Sequence, residues 1–217
     1  MYNINMDLKD KDCLVIGGGP VALRKVQKLL AAGAKVMVIA PHVMEEIEQW
    51  SAQGKLVWLR RYFSSQTFTS GKLPRFSLVF CATDSRETNH KAAVLAKAQG
   101  ALVNSVTNPE DCDFHVPAVV SQGDINIAIT TQGASPAFAG LIKQDLAKRY
   151  HSGFGEFLGW LKELREDIKA AEPDSKKRVQ LWQGLLDEDI FDLILDNELE
   201  RAKDDIRSKI SSSRTKS

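Results

Sequence analysis

The chain has 217 residues, and its 29 Lys and Arg against 28 Asp and Glu leave a formal net charge of +1 at pH 7. That balance excludes the broad positive field of a nucleic-acid-binding protein, so attraction for an acidic ligand has to come from local clusters. Hydrophobic residues make up 43% of the sequence, enough for one large core or two smaller ones and ample for an enzyme.

At the N-terminus, Met1–Asp7 shows no charged stretch followed by an apolar run, and no segment reaches the length needed to span a bilayer. Cys13, Cys81 and Cys112 are odd in number and lack C-x-x-C spacing, the pattern of free thiols in a reducing compartment. These features predict a soluble cytoplasmic protein with no membrane partner.

The first element is an apolar strand, Cys13–Ile16, that runs into Gly17-Gly18-Gly19-Pro20-Val21-Ala22. In the pattern G-x-G-x-x-A, Gly17 makes a tight bend, Gly19 lets backbone approach a pyrophosphate, and Ala22 allows close helix packing. Pro20 suits the first helical position, where its missing N–H has no partner to lose, and Val21 continues a helix start that forms an anion site. A structural turn that needs Gly only for positive φ is the alternative. Context favours a dinucleotide: Val21, Val26, Leu29 and Leu30 have helical spacing, Gly33 suits a C-cap, and Lys35–Ile39 reads as the next buried strand.

Strand-like runs recur at Leu56–Leu59, Leu78–Ala82 and Leu102–Val106, with helical patterns at Val43–Ala52 and Asn89–Gln99. This alternation predicts an α/β, Rossmann-type parallel sheet with helices on both faces. The clearest central strand ends at Thr83-Asp84, where a parallel sheet opens its ligand crevice, so both residues are expected to face a cofactor. Asp84 or Ser85 as a cap of the following helix is a compatible alternative. The second strand ends Ile39-Ala40-Pro41-His42, without the acidic residue that usually binds the adenosine ribose.

From Phe114 the pattern changes. Val116–Val120, a turn at Gln122-Gly123-Asp124 and the alternating Ile125–Thr130 predict an antiparallel hairpin. Ser135 is a natural N-cap with Pro136 opening the next helix. Beyond Tyr150 the chain reads as helical, with an apolar stripe from Phe154 to Ile168, a break at Pro173-Asp174-Ser175 and a second stripe at Leu181–Leu186. The expected division is a dinucleotide-binding domain over 1–112, a small α+β segment over 113–149, a helical domain over 150–210 and a disordered tail over 211–217.

Several stretches in this order resemble the precorrin-2 dehydrogenase family of siroheme-synthesis enzymes, some of whose members are also sirohydrochlorin ferrochelatases. They are Gly17–Lys25, Cys81-Ala82-Thr83-Asp84 with Asn89, Asn104-Ser105-Val106, Cys112–Ala118, and Thr131-Gln132-Gly133-Ala134-Ser135-Pro136. The resemblance implies NAD-dependent oxidation of precorrin-2 to sirohydrochlorin by a homodimer paired through the α+β segment, with ferrous iron as a further substrate in a ferrochelatase step. It implies NAD rather than NADP. It also places Pro41 and His42 against the adenosine, Asn104 near the cofactor, and Arg24, Lys25, Ser135 and Lys143 near the carboxylates of the macrocycle. For the three cations, a solvated helix face or local ion pairing is the plainer alternative.

Dehydrogenation sends a hydride to the nicotinamide and a proton to a base. Many family members have an Asp four residues into the segment that here reads Asn104-Ser105-Val106-Thr107, and a threonine cannot act as a base. Asp111, Asp113 and His115 are the replacements at hand. Asp111 is favoured as lying in a flexible loop, Asp113 suits a structural cap, and His115 reads as a partly buried histidine in an alternating strand. No His/Cys/Asp set has metal-ligand spacing, so iron would be held by the macrocycle. The competing readings are a regulatory NAD(H)-binding module without chemistry and a dehydrogenase of another planar anionic substrate.

Overall fold

The computed structural model describes residues 2–69, 71 and 73–214. The chain divides into two compact units, Met1–Val116 and Pro117–Ser217.

In the first unit, β1 (Asp12–Ile16), β2 (Lys35–Ile39), β3 (Val57–Leu59), β4 (Leu78–Cys81) and β5 (Leu102–Ser105) form one sheet in the order β3-β2-β1-β4-β5. Every neighbouring pair is parallel. Parallel strands need crossovers, supplied here by α1 (Pro20–Ala31), α2 (Glu45–Ala52), the short α3 (Gln66–Thr69) and α4 (Arg86–Ala98). Side chains alternate across the pleat, so β1 to β4 each feed two cores. Cys13, Val15, Val36, Val38 and Phe80 pack with Ala22, Val26 and Leu29 of α1 on one face. Leu14, Ile16, Val79, Cys81 and Val103 pack with Ala92, Ala93 and Ala96 of α4 on the other. The three alanines let α4 lie close to the sheet, and burial on both faces is why these strands read as continuous apolar runs.

The expected elements are present with small shifts at their ends. Gly33, at φ 73°, follows α1 in the left-handed conformation expected of it. After β5, the segment expected to be a flexible loop forms a 3-10 turn at Pro109–Asp111, capped by the side chain of Asn108.

The second unit begins with the antiparallel hairpin β6 (Ala118–Gln122) and β7 (Ile125–Ile129), in register Val120↔Ile127. Val120 and Ile129 are buried with Ala139 of α5 (Pro136–Arg149). The Ser135 hydroxyl accepts from Phe138 N at 3.1 Å, the N-cap expected of it. The helical remainder is α6 (Ser152–Ala171), α7 (Ser175–Leu185), α8 (Glu188–Leu195) and α9 (Leu199–Arg214), around a core that includes Phe154, Phe157, Ile168, Leu185, Ile190 and Ile206.

Asp174 caps α7 just after the Pro173 break. Two elements depart from the sequence reading. β6 starts at Ala118 rather than Val116, and α9 continues to Arg214, into the expected tail. Residues 215–217 of that tail lie outside the described residues.

Candidate functional site

The sheet order reverses between β1 and β4, and there the carboxyl ends of the strands open a cleft of about 500 Å³. Its wall brings together Gly17, Gly18, Gly19, Pro41, His42, Thr83 and Asp84, all but Gly18 expected from sequence, and adds Tyr62, Phe63, Ser85 and Thr88.

The glycine turn has three distinct tasks. Gly17 sits at φ 123°, and a Cβ there would come within 2.3 Å of Ala82 O, so the bend requires glycine. Gly18 closes against the loop after β2: a Cβ would stand 2.1 Å from His42 O, and its carbonyl accepts from Met44 N at 2.9 Å. Around Gly19 there is nothing within 4 Å of a built Cβ, so its backbone borders open space. Gly19 N-caps α1 with no side-chain hydrogen bond, Pro20 and Val21 open the helix, and its first turn holds no acidic residue. The positive end of the helix and its free N–H groups are left for an anion. Ala22 is fully buried on the sheet, as close packing requires.

Where β2 stops, at Ile39-Ala40-Pro41-His42, there is no acidic side chain. Trp58 Nε1 instead donates to Ala40 O at 2.9 Å and fixes the Ala40-Pro41-His42 loop. The Arg60 guanidinium lies 4.7 Å over the Trp58 ring.

The opposite end is tied together by Asn89, fully buried on α4. Its Oδ1 accepts from Thr83 N at 3.1 Å and from the Thr83 hydroxyl at 2.7 Å. Its Nδ2 donates to Thr83 O at 2.9 Å and to Thr107 Oγ1 at 3.1 Å. Of the two possible caps, Ser85 takes the role, accepting from Thr88 N at 3.1 Å, and Asp84 stays exposed on the cleft wall.

The remaining candidates sit elsewhere. Asn104 does not line the cleft: it is buried, and its Nδ2 donates to Phe114 O at 3.0 Å. Asp111 is not on a flexible loop but 7% exposed, with Oδ1 2.8 Å from His90 Nδ1 and Oδ2 buried without a partner. Its charge, after burial, helps push the Cys81 thiol up to about 12. Asp113 caps no turn; it braces the end of the sheet, accepting from Val103 N at 2.9 Å and pairing with Lys97 at 3.0 Å. His115 is neither buried nor in a strand; it is exposed, ahead of β6.

Arg24 is exposed, whereas Lys25 is half-buried with Nζ 5.2 Å over the Phe80 ring. Burial first, then Lys28 and Arg24 beside it, lower the Lys25 pKa. In the second unit, Ser135 caps α5 and Lys143 is exposed on it. Among the described residues no group of three or more His, Cys, Asp or Glu is placed to hold a metal ion, and no helix is long and apolar enough to cross a membrane.

Sequence reasoning missed Gly18 and the role of Asn89. A third adjacent glycine and an amide inside an alanine-rich helix were the available signals.

Residues 4–118, more than half of the chain, match the family described as "Putative NAD(P)-binding". The chain belongs to this NAD(P)-binding family. Siroheme synthase of Nitrosococcus oceani is 34% identical over 200 residues, 92% of this chain and 42% of that protein. Siroheme synthase of Hydrogenovibrio crunogenus is 36% identical over 183 residues, 84% and 38% respectively. The NAD(P)-binding chain thus spans about two fifths of the length of the curated relatives it matches. Among solved structures, "SirC, precorrin-2 dehydrogenase" matches with a TM-score of 0.79 at 27% identity, covering 97% of this chain and 100% of that one.

Proposed function

We infer that this chain is an NAD-dependent dehydrogenase that oxidises precorrin-2 to sirohydrochlorin in siroheme biosynthesis. The observation that carries the reading is the match to a precorrin-2 dehydrogenase over the whole of that protein's length. The residues present fit the dinucleotide: a glycine turn without side chains, an uncapped helix start and a crevice at the switch point of the sheet.

When bound, the nicotinamide supplies the acceptor for a hydride, and the substrate's second hydrogen leaves as a proton. Gly17 and Gly18 shape the turn, and the first N–H groups of α1 would hold the pyrophosphate. Pro41 and His42 line the cleft on a loop that Trp58 fixes and would border the adenosine. The absence of an acid at the end of β2 leaves the choice of NAD over NADP to the family likeness. Asn89 holds Thr83 so that the cleft wall keeps its shape for the nicotinamide end.

For the proton, Asp111 and Asp113 are engaged in bracing the segment after β5, which favours His115 as the acceptor because its imidazole is exposed. Asn104 then acts through Phe114, by positioning the backbone next to His115. Arg24, Lys25, Ser135 and Lys143 are the groups assigned to the substrate's carboxylates and their surroundings. The division of the second unit into a pairing segment and a helical domain, and the homodimer itself, are part of the same reading. Phe138 and Leu141 support it, standing 57% and 61% exposed on α5 as an apolar face fit to meet a second copy.

The test is an anaerobic absorbance assay with precorrin-2 and NAD. Sirohydrochlorin and NADH should appear together in equal amounts; dinucleotide binding without either product would make the chain a binding module instead.

A further inference from the structure

The helical part of the second unit holds a cavity of about 510 Å³ between α6 and α7. One wall is the C-terminal half of α6, where Arg165 and Lys169 stand four residues apart and therefore on one face. The other wall is a stripe of α7 that carries Arg178, Val179 and Trp182.

Three cations thus converge on one cavity with a single acid among its lining residues, Glu166, which reaches Lys169 only at 3.6 Å. Like charges at i,i+4 oppose helix stability, and a third cation across the groove adds to the repulsion. The nearest carboxylates in the turn do not relieve it: Glu172 accepts from Asp174 N and Asp174 accepts from Lys176 N, both at their own backbone. Arg165 has no carboxylate partner among the described residues.

Arg178 is prepositioned. Its Nη1 donates to Glu172 O at 2.8 Å and Pro173 O at 2.7 Å, which fixes the guanidinium at the mouth of the α6–α7 turn. Beside it, Val179 is 57% exposed and Trp182 only partly covered, so the wall between the cations is apolar. Guanidinium forks spaced around an aromatic wall match an organic polyanion with a flat ring, not a simple ion.

The geometry points to a second ligand site here, for a small flat polyanion whose carboxylate or phosphate oxygens meet Arg165, Lys169 and Arg178 while its ring lies against Val179 and Trp182. The site is separate from the cleft of the first unit and does not depend on the function proposed for it. Two sources present this chemistry: a macrocycle with peripheral carboxylates and a nucleotide with phosphates.

The full chain is titrated by calorimetry with uroporphyrin I and, separately, with ADP. A Gly19→Asp background removes the dinucleotide cleft from the measurement. At least one probe is expected to bind that background, with affinity falling about ten-fold or more in Arg165→Glu/Lys169→Glu and surviving in Arg165→Lys/Lys169→Arg. Uroporphyrin alone would assign the site to polycarboxylates, and ADP alone to phosphates. No binding of either probe at about 1 mM, or equal binding by the charge-reversed variant, would overturn the proposal. Both variants change exposed positions, and circular dichroism confirms that they fold.

Discussion

Asn89 and Thr107 stand eighteen residues apart in the chain and are joined by a 3.1 Å hydrogen bond from the Asn89 amide to the Thr107 hydroxyl. The same amide donates to Thr83 O, and its oxygen accepts from Thr83 N. One fully buried side chain therefore ties the ends of β4 and β5 together at the crest of the sheet. Asn89→Ala leaves Thr83 N, Thr83 O and the Thr107 hydroxyl without this partner. It should destabilise the chain by roughly 2–3 kcal/mol, the range for unsatisfied groups in a buried network. Urea denaturation checks this; a loss under about 0.5 kcal/mol would show the network to be incidental.

Gly18 and Gly19 are adjacent, yet substitutions there should fail in different ways. A Cβ at Gly18 meets His42 O at 2.1 Å, so Gly18→Ala has to displace backbone and should lower the unfolding midpoint, at a cost of about 2 kcal/mol or more. A Cβ at Gly19 meets nothing within 4 Å, so Gly19→Asp should fold normally. It should lose dinucleotide binding, because a carboxylate would occupy the anion site at the start of α1. Calorimetry with NAD alongside thermal melts separates the two; unchanged NAD affinity in Gly19→Asp would remove the cleft from cofactor binding.

The contrast between these positions shows what the sequence could and could not convey. The glycine turn, the apolar runs of the strands with the helical patterns between them, and the Ser135 cap are local patterns, and they were legible because each rests on neighbours within a few residues. Asp111 was not. Its surroundings, Asn108-Pro109-Glu110, are polar and look like a mobile loop, but its partner is His90, 21 residues earlier on α4.

The sequence pattern reads His115 into an alternating strand, but the strand does not reach it. Pro117 has no N–H for a ladder, and β6 starts only at Ala118. The serines after Ile210 suggest disorder, yet the Ser211 and Ser212 hydroxyls donate back to Arg207 O and Ser208 O, and α9 continues.

The buried thiols give a pH dependence of known sign. Burial pushes Cys13 up to about 11 and, with the charge of Asp111 and then Cys112 nearby, pushes Cys81 up to about 12, from an ordinary 9.0. A folded pKa above the unfolded one means that the native state holds its protons longer. The contribution is complete below about pH 9 and is lost as pH rises through the 9–12 window. Denaturation midpoints should therefore fall between pH 9 and pH 11 more steeply in the native chain than in Cys13→Ala/Cys81→Ala. At pH 8, iodoacetamide should leave both cysteines unmodified in the folded chain, as mass spectrometry would show, since thiolate is the reactive form.

On the proposed reading, His115→Ala should lower NADH formation by about 100-fold with NAD affinity retained, as loss of a general base does. Asp111→Asn should act chiefly on stability, because its Oδ1 faces His90 and its Oδ2 is enclosed. If turnover instead collapses in Asp111→Asn at an unchanged denaturation midpoint, the proton acceptor is Asp111 and the exposed imidazole is a bystander.

The position of Thr107 bears on iron insertion. Hydride transfer depends mainly on holding ring and nicotinamide in register, which the glycine turn and the Asn89 network provide without an acid at this point. Inserting iron into sirohydrochlorin also requires the pyrrole protons to leave, and a carboxylate is the natural acceptor. Thr107 offers only a hydroxyl, 3.1 Å from Asn89 Nδ2 and 3.4 Å from Ser105 Oγ. A carboxylate in its place would accept from both groups, so Thr107→Asp should be tolerated in the fold, which its denaturation midpoint checks. The wild-type chain, given ferrous iron and sirohydrochlorin without oxygen, should form siroheme no faster than the protein-free mixture, and Thr107→Asp should raise that rate. A wild-type rate well above the protein-free one would mean that another group, with the exposed His115 a candidate, already takes the pyrrole protons, and that the missing acid has been replaced rather than lost.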